Sequence, residues 1–209
     1  MSDFYELVTS RRMVRAFRAD PVEREVLHRI VDLAARSPSA GKTQGWSIVA
    51  LEGASTETFW SATMSAETRA GFRWRHLLTA PMILLSFADP HAYLERYSEN
   101  DKSKTALGES TDAWPVPYWT VDASFATMTL LLAAHDAGLG ALFFGVFRGE
   151  NELRRALGVP SHLQLIGAIA LGYERTPEPS ERDDEAFARG ASAARRRATA
   201  QEIVHFGAW

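Results

Sequence analysis

The chain has 209 residues, 46% of them hydrophobic, and its 26 acidic and 23 basic side chains give a formal net charge of −3. That apolar content fills one sizeable core, and no Pro-, Gly- or Ser-rich linker divides the chain before residue 174, so one domain is expected. The near-balanced charge gives no global case for nucleic acid, and the absence of cysteine removes disulfides, thiolate metal sites and a cysteine nucleophile. At the N-terminus Asp3-Phe-Tyr-Glu6 has the spacing of a capping box and predicts a short helix ending near Ser10. The start lacks the basic and apolar regions of a signal peptide, and the runs 81–87 and 140–147 are too short to span a bilayer. A cytoplasmic protein without membrane or nucleic-acid partners is the expectation.

Next comes Arg11-Arg-Met-Val-Arg-Ala-Phe17, with Arg11, Arg12 and Arg15 beside the apolar Val14 and Phe17. Planar forked donors in such a setting suit phosphate; a solvated run paired with surface carboxylates is the other reading. Pro21 opens a second helix whose stripe Val22, Val26, Ile30 and Ala34 is packing. The loop Ser37 to Trp46 joins it to a buried strand at 47–51. It carries Ser39, Thr43, Gln44 and Lys42, while Gly41 and Gly45 leave backbone amides open. That is an inventory for gripping a polar ligand, or an ordinary solvated turn. Residues 55–78 read as helix with Trp60, Phe72 and Trp74, 81–87 as a second buried strand, and 91–97 as a short helix.

The polar stretch 100–117 reads as a lid or interface segment. Trp114, Tyr118 and Trp119 either face a planar substrate or seal a subunit contact. Trp119 to Ala137, apolar nearly all round, predicts a buried central helix stopped at Gly138-Leu-Gly140. Ala141 to Phe147 reads as a strand whose Gly145 admits close approach to its backbone, followed by a helix at 151–157 and a last strand at 165–171. The tail from 174 is acidic at 181–185, basic at 195–197 and apolar only at 203–209, and reads as an arm that packs away from its own core. The six histidines are scattered, and Gly-Leu-Gly follows a helix where a dinucleotide fingerprint would follow a strand.

Four ordered segments carry a family resemblance: Arg11 to Phe17, Ser37 to Trp46, Asp122 to Gly140, and the Arg-spacer-Val-His tail from Arg197 to His205. Over essentially its whole length the chain resembles the nitroreductase family of FMN-dependent oxidoreductases. The resemblance implies an α+β, nitroreductase-like fold with a mixed central sheet flanked by helices. It implies a single FMN-binding domain over residues 1–209, with 174–209 as a C-terminal arm exchanged in an intertwined homodimer whose two FMN sites lie at the subunit interface.

By the same resemblance, Arg11 matches the phosphate-binding arginine and Arg12 its neighbour on the ribityl-phosphate side, with Arg15 near the pyrimidine edge of the flavin. Pro38 and Ser39 match residues passing close to the ring, and Gln44 a side-chain donor to the ribityl or pyrimidine end. Gly145 or Val146 falls where backbone meets N5 and the C4 carbonyl, and Arg197 matches the arginine closing on the phosphate. The chain departs from the family at Met13 (usually serine), Lys42 (asparagine), Gly45 (proline) and Thr129 (often asparagine). Met13 removes a phosphate-side hydroxyl; Lys42 puts a cation beside the ring or points to solvent. His205 and Trp209 read as structural.

The implied activity moves hydride from NADH or NADPH to flavin N5 and then reduces a nitroaromatic, quinone or similar small-molecule acceptor by a ping-pong mechanism. No catalytic side chain and no metal are expected, because the cofactor carries the chemistry. Dehalogenation, oxidation of a specific metabolite, or a non-catalytic flavin or deazaflavin carrier are the alternatives on the same fold.

Overall fold

The computed structural model describes residues 3–209. Its centre is β2 (Met82–Ala88), an apolar seven-residue run buried at every position. Antiparallel neighbours flank it: β1 (Trp46–Glu52) on one side, β4 (Gln164–Gly172) on the other, and β3 (Gly140–Phe144) beyond β4, giving the order β1-β2-β4-β3. All four strands pair antiparallel, so the parallel component of the expected mixed sheet is confined, among the described residues, to an isolated bridge between Met13 and Ala141.

Because side chains alternate along a strand, the sheet has two apolar faces. Ile83, Leu85 and Phe87 join a cluster with Phe59 and Trp60 of α3 (Thr56–Thr63) and Leu153 of α7 (Glu150–Leu157). Met82 and Leu84 face the opposite way, onto Leu27 and Ile30 of α2 (Arg24–Ala34) and Leu130 and Leu131 of α6 (Tyr118–Asp136). The sheet is thus flanked by helices on both faces. A buried hydroxyl pair, Ser86 with Thr127 at 3.1 Å, ties β2 to α6.

Several expectations are corrected. The single helix expected over 55–78 is broken. The backbone turns extended at Met64, Ser65 caps the short α4 (Ala66–Ala70) by accepting from Thr68 N, and a 3-10 turn covers Arg75–Leu77. The strand expected to reach Phe147 ends at Phe144, so Gly145 and Val146 lie in the turn before α7. Trp114 and Trp119 are neither lid nor exposed interface: both are buried in a third cluster around Tyr93 of α5 (Pro90–Ser98). The central helix buries one side but leaves Phe125 and Met128 exposed, as are Phe4, Tyr5 and Val8 of α1 (Phe4–Ser10) and Leu33 of α2.

The tail divides in two. Residues 178–188 fold back on their own core as a strap, in which Asp184 pairs with Arg75, Glu181 with Arg175, Phe187 lies against His76 at 4.9 Å, and Ala186 is fully buried. This part does not pack away from its core, because Arg75 and Arg175 stand where the acidic stretch can pair with them. Residues 193–209 are exposed throughout.

Candidate functional site

A cleft of about 820 Å³ opens between α3, the segment through Trp74, and the turn that follows β3. Its walls are aromatic: Trp60 and Phe144 lie parallel at 6.3 Å, Phe59 meets both edge-on, and Phe72 packs edge-on against Trp74. Arg15 enters from the N-terminal segment because Met13 bridges to Ala141 and Val14 N donates to Ala141 O, laying the chain beside the edge strand β3. Its guanidinium sits 5.3 Å over the Trp74 ring and donates to Met13 O at 3.3 Å. Trp74 is fixed in turn by the strap, its Nε1 donating to Ala188 O at 3.0 Å. The ionisable lining residues are Arg15 and Arg148, both cations. Trp60 Nε1 is buried without a hydrogen-bond partner among the described residues.

Gly145 and Val146 line the same cleft, so Arg15, Gly145 and Val146 come together as expected. A Cβ on Gly145 would meet the Phe147 ring at 2.6 Å, so a side chain there would make that exposed ring swing aside. Such a cleft takes a planar group with negative charge at one end: aromatic side chains for the plane and Arg15 for the charge.

The other sequence-derived positions lie elsewhere on the chain. Arg11 and Arg12 line a separate hollow of about 160 Å³ with His135, Gly138 and Glu174. Arg12 is paired there with Glu174 at 2.6 Å, so its charge is already met by a carboxylate. Met13 is half-buried and packs against both sheet-face clusters, which accounts for an apolar side chain at that position. Arg197 is exposed on the tail, beside the Arg196–Glu202 pair, and contributes only its carbonyl, which accepts from Arg196.

Pro38, Ser39, Lys42 and Gln44 line a third hollow of about 840 Å³. The loop is held in a sparsely populated shape, with Gly41, Lys42 and Gln44 all at positive φ (62°, 55° and 53°). Several hydrogen bonds fix it. Asp122 Oδ2, buried on α6, accepts from Ala40 N at 2.7 Å and from the Tyr93 hydroxyl at 2.6 Å, and Arg96 Nε donates to Gly41 O at 2.9 Å. Burial first, and the bond to Asp122 second, push the Tyr93 hydroxyl well above its ordinary pKa, so it remains a donor. Ser37 meets Thr129 at 2.7 Å, and Ser39 Oγ accepts from Gln44 N. The Gln44 amide nitrogen, expected to face a cofactor, donates inward to Ala35 O at 2.7 Å. Gly45 is required where it stands, since a Cβ there would lie 2.7 Å from the Tyr93 ring.

Sequence reasoning missed the supports of this loop, Tyr93, Arg96 and Asp122, together with Arg148 in the cleft. Asp122 carried one usable signal, a carboxylate inside an otherwise apolar helix. Among the described residues no group of three or more His, Asp or Glu side chains is placed to hold a metal ion, and no helix is long and apolar enough to cross a membrane.

Comparison with known proteins adds the following. A family model described as the nitroreductase family matches residues 8–173. An NADH dehydrogenase of Thermus thermophilus is 30% identical, over 78% of this chain and 82% of its own length. Iodotyrosine deiodinase 1 of Rattus norvegicus is 27% identical over 82% of this chain, which spans 62% of that relative's length. Among solved structures, an FMN-dependent nitroreductase of Clostridium difficile R20291 has the same fold, with a TM-score of 0.63 and 21% identity, covering 99% of this chain and all of that one.

Proposed function

Since the chain belongs to the nitroreductase family, we propose that it is an FMN-dependent oxidoreductase using NADH or NADPH to reduce small aromatic or quinonoid acceptors. The observation that carries this reading is Arg15, a cation with no carboxylate partner among the described residues, held against Trp74 in an aromatic cleft that continues into the Gly145–Val146 turn. The residues fit the group: aromatic side chains line the cleft, Arg15 supplies a cation, and no carboxylate lines it to repel an anionic edge. When bound, the flavin supplies two-electron chemistry, accepting hydride from a nicotinamide and passing the electrons to an acceptor.

The chain's own residues then have three tasks. Arg15 holds the end of the ring system where negative charge gathers on reduction. Phe59, Trp60 and Phe144 exclude water from one side. Backbone in the Gly145–Val146 turn orients the reacting edge. Pro38, Ser39 and Lys42 line a different hollow of the same chain from Arg15, so in this reading they reach a cofactor in this cleft from a second copy, while the Gln44 amide stays on Ala35 O. A homodimer sharing its sites supplies that geometry, and the exposed apolar side chains of α1 and α6 give it a surface to bury. Arg11 and Arg197 are the cations left to meet the phosphate, Arg12 being engaged by Glu174.

The purified protein should be yellow, release FMN on denaturation, and bleach when NADH or NADPH is added without oxygen. A colourless protein that takes up no added FMN overturns the reading. The deiodinase relative favours a second reading on the same site, reductive dehalogenation. Loss of halide from a halophenol by the reduced protein, without reduction of nitroarenes, would select it.

A further inference from the structure

We infer that the acceptor is an anionic planar aromatic, such as an aromatic carboxylate, and that Arg148 at the mouth of the cleft is the residue that selects for it. The inference rests on the flavin reading above but concerns a residue that reading does not use. Arg15 and Arg148 are the ionisable side chains lining the cleft, and no carboxylate lines it to neutralise them. Arg15 is turned inward over Trp74. Arg148 is exposed and has no ion pair or hydrogen-bond partner among the described residues. Its neighbour Phe147 is 94% exposed, an unusual setting for a phenyl ring, and lines the same mouth.

The position is fixed from both sides. Gly149 has φ 72°, and a Cβ there would come within 1.8 Å of Ala62 O, so the turn is pressed against the end of α3 and holds Arg148 at the cleft. Gly145 on the other side leaves space for the Phe147 ring. A guanidinium beside an exposed aromatic ring, over a cleft with no negative charge, offers a flat surface and a forked donor set to a ring that bears a carboxylate. For a nitroarene the balance is simple: one hydride from the nicotinamide and one proton from solvent convert the nitro group to nitroso and release water, while the carboxylate on Arg148 takes no part in the redox step.

The test compares 4-nitrobenzoate with the isosteric neutral 4-nitrobenzamide in the wild type, in Arg148→Gln and in Phe147→Ala. In the wild type kcat/KM should favour the carboxylate, and Arg148→Gln should reduce the carboxylate-to-amide ratio by about fivefold, the upper end for one exposed ion pair. Phe147→Ala should weaken both probes and leave the ratio standing, which separates the ring's contribution from the charge. A ratio that Arg148→Gln leaves unchanged overturns the inference while the amide is still reduced. If neither probe is turned over, nitroarene reduction has failed, while colour and bleaching still decide the flavin reading, and binding of the same two probes, followed by quenching of the cleft tryptophans, decides the selection separately. Tighter carboxylate binding that is lost in Arg148→Gln upholds the selection, and equal binding of acid and amide overturns it.

Discussion

At the residue scale, Lys42 and Asp122 show how the loop 37–46 is held. Lys42 has φ 55°, a left-handed conformation that asparagine tolerates better than lysine. The asparagine usual in the resembling family therefore has a backbone reason, independent of any contact with a ring. Lys42→Asn should stabilise the protein by up to about 1 kcal/mol in urea unfolding, and a lower midpoint would show that the lysine side chain contributes more than the backbone loses. Tyr93→Phe removes one of the two donors, among the described residues, to the Asp122 carboxylate buried on α6. It should cost about 1–3 kcal/mol by the same measurement, since the buried Asp122 side chain would lose one of its hydrogen bonds; an unchanged midpoint would mean that the bond is replaced.

At the scale of the element, the strap 178–188 couples pH to the cleft wall. His76 lies under it, its Nε2 buried without a partner among the described residues, and burial first, then Arg175 and Arg75, hold its pKa below the ordinary 6.5. A base depressed by folding binds fewer protons in the folded state than in the unfolded chain. Its contribution is complete above pH 6.5 and is lost as pH falls below that value toward the folded pKa. Asp184, held at about 2 by its hydrogen bond from Arg75, loses its contribution only below the ordinary 3.8, so the two windows separate. The wild type should lose stability as pH falls below 6.5, and His76→Phe, which keeps a ring against Phe187, should lose less. Parallel losses in the two proteins, read as urea midpoints, would remove His76 as the cause. Because Trp74 is bonded to Ala188, loosening the strap should also shift tryptophan emission in the same range.

At the scale of the whole molecule, the arm beyond the strap stands clear of its own core. Residues 193–209 are exposed, with Ile203, Phe206 and Trp209 at 64%, 93% and 101%, and they contribute nothing to the three buried clusters. A chain ending after residue 190 keeps the strap and should fold with the same helix and strand content. If the arm closes over a partner subunit, that variant should sediment as a monomer and lose bound flavin. A dimeric, yellow truncated protein would show that the arm has no structural part in the assembly.

The sequence by itself determined the elements whose cause is local. The apolar run at 81–87 had to be a buried strand, the Asp3 cap and Gly138 bracketed their helices, and the order of the motifs implied the fold in which the chain now stands. It also named Arg15, Gly145 and Val146, which converge in one cleft. What it missed depends on partners far apart along the chain. Arg12 meets Glu174 across 162 positions, Arg75 meets Asp184 across 109, and Ala40 meets Asp122 across 82. A charged side chain has the same propensity whether it ends beside a carboxylate or alone, so only the tertiary structure decided that Arg12 is neutralised while Arg15 and Arg148 face an aromatic cleft that no carboxylate lines. The tail's composition said that it could not make a core of its own, but ion pairs with Arg75 and Arg175 fixed where its first half docks and left its second half in solvent.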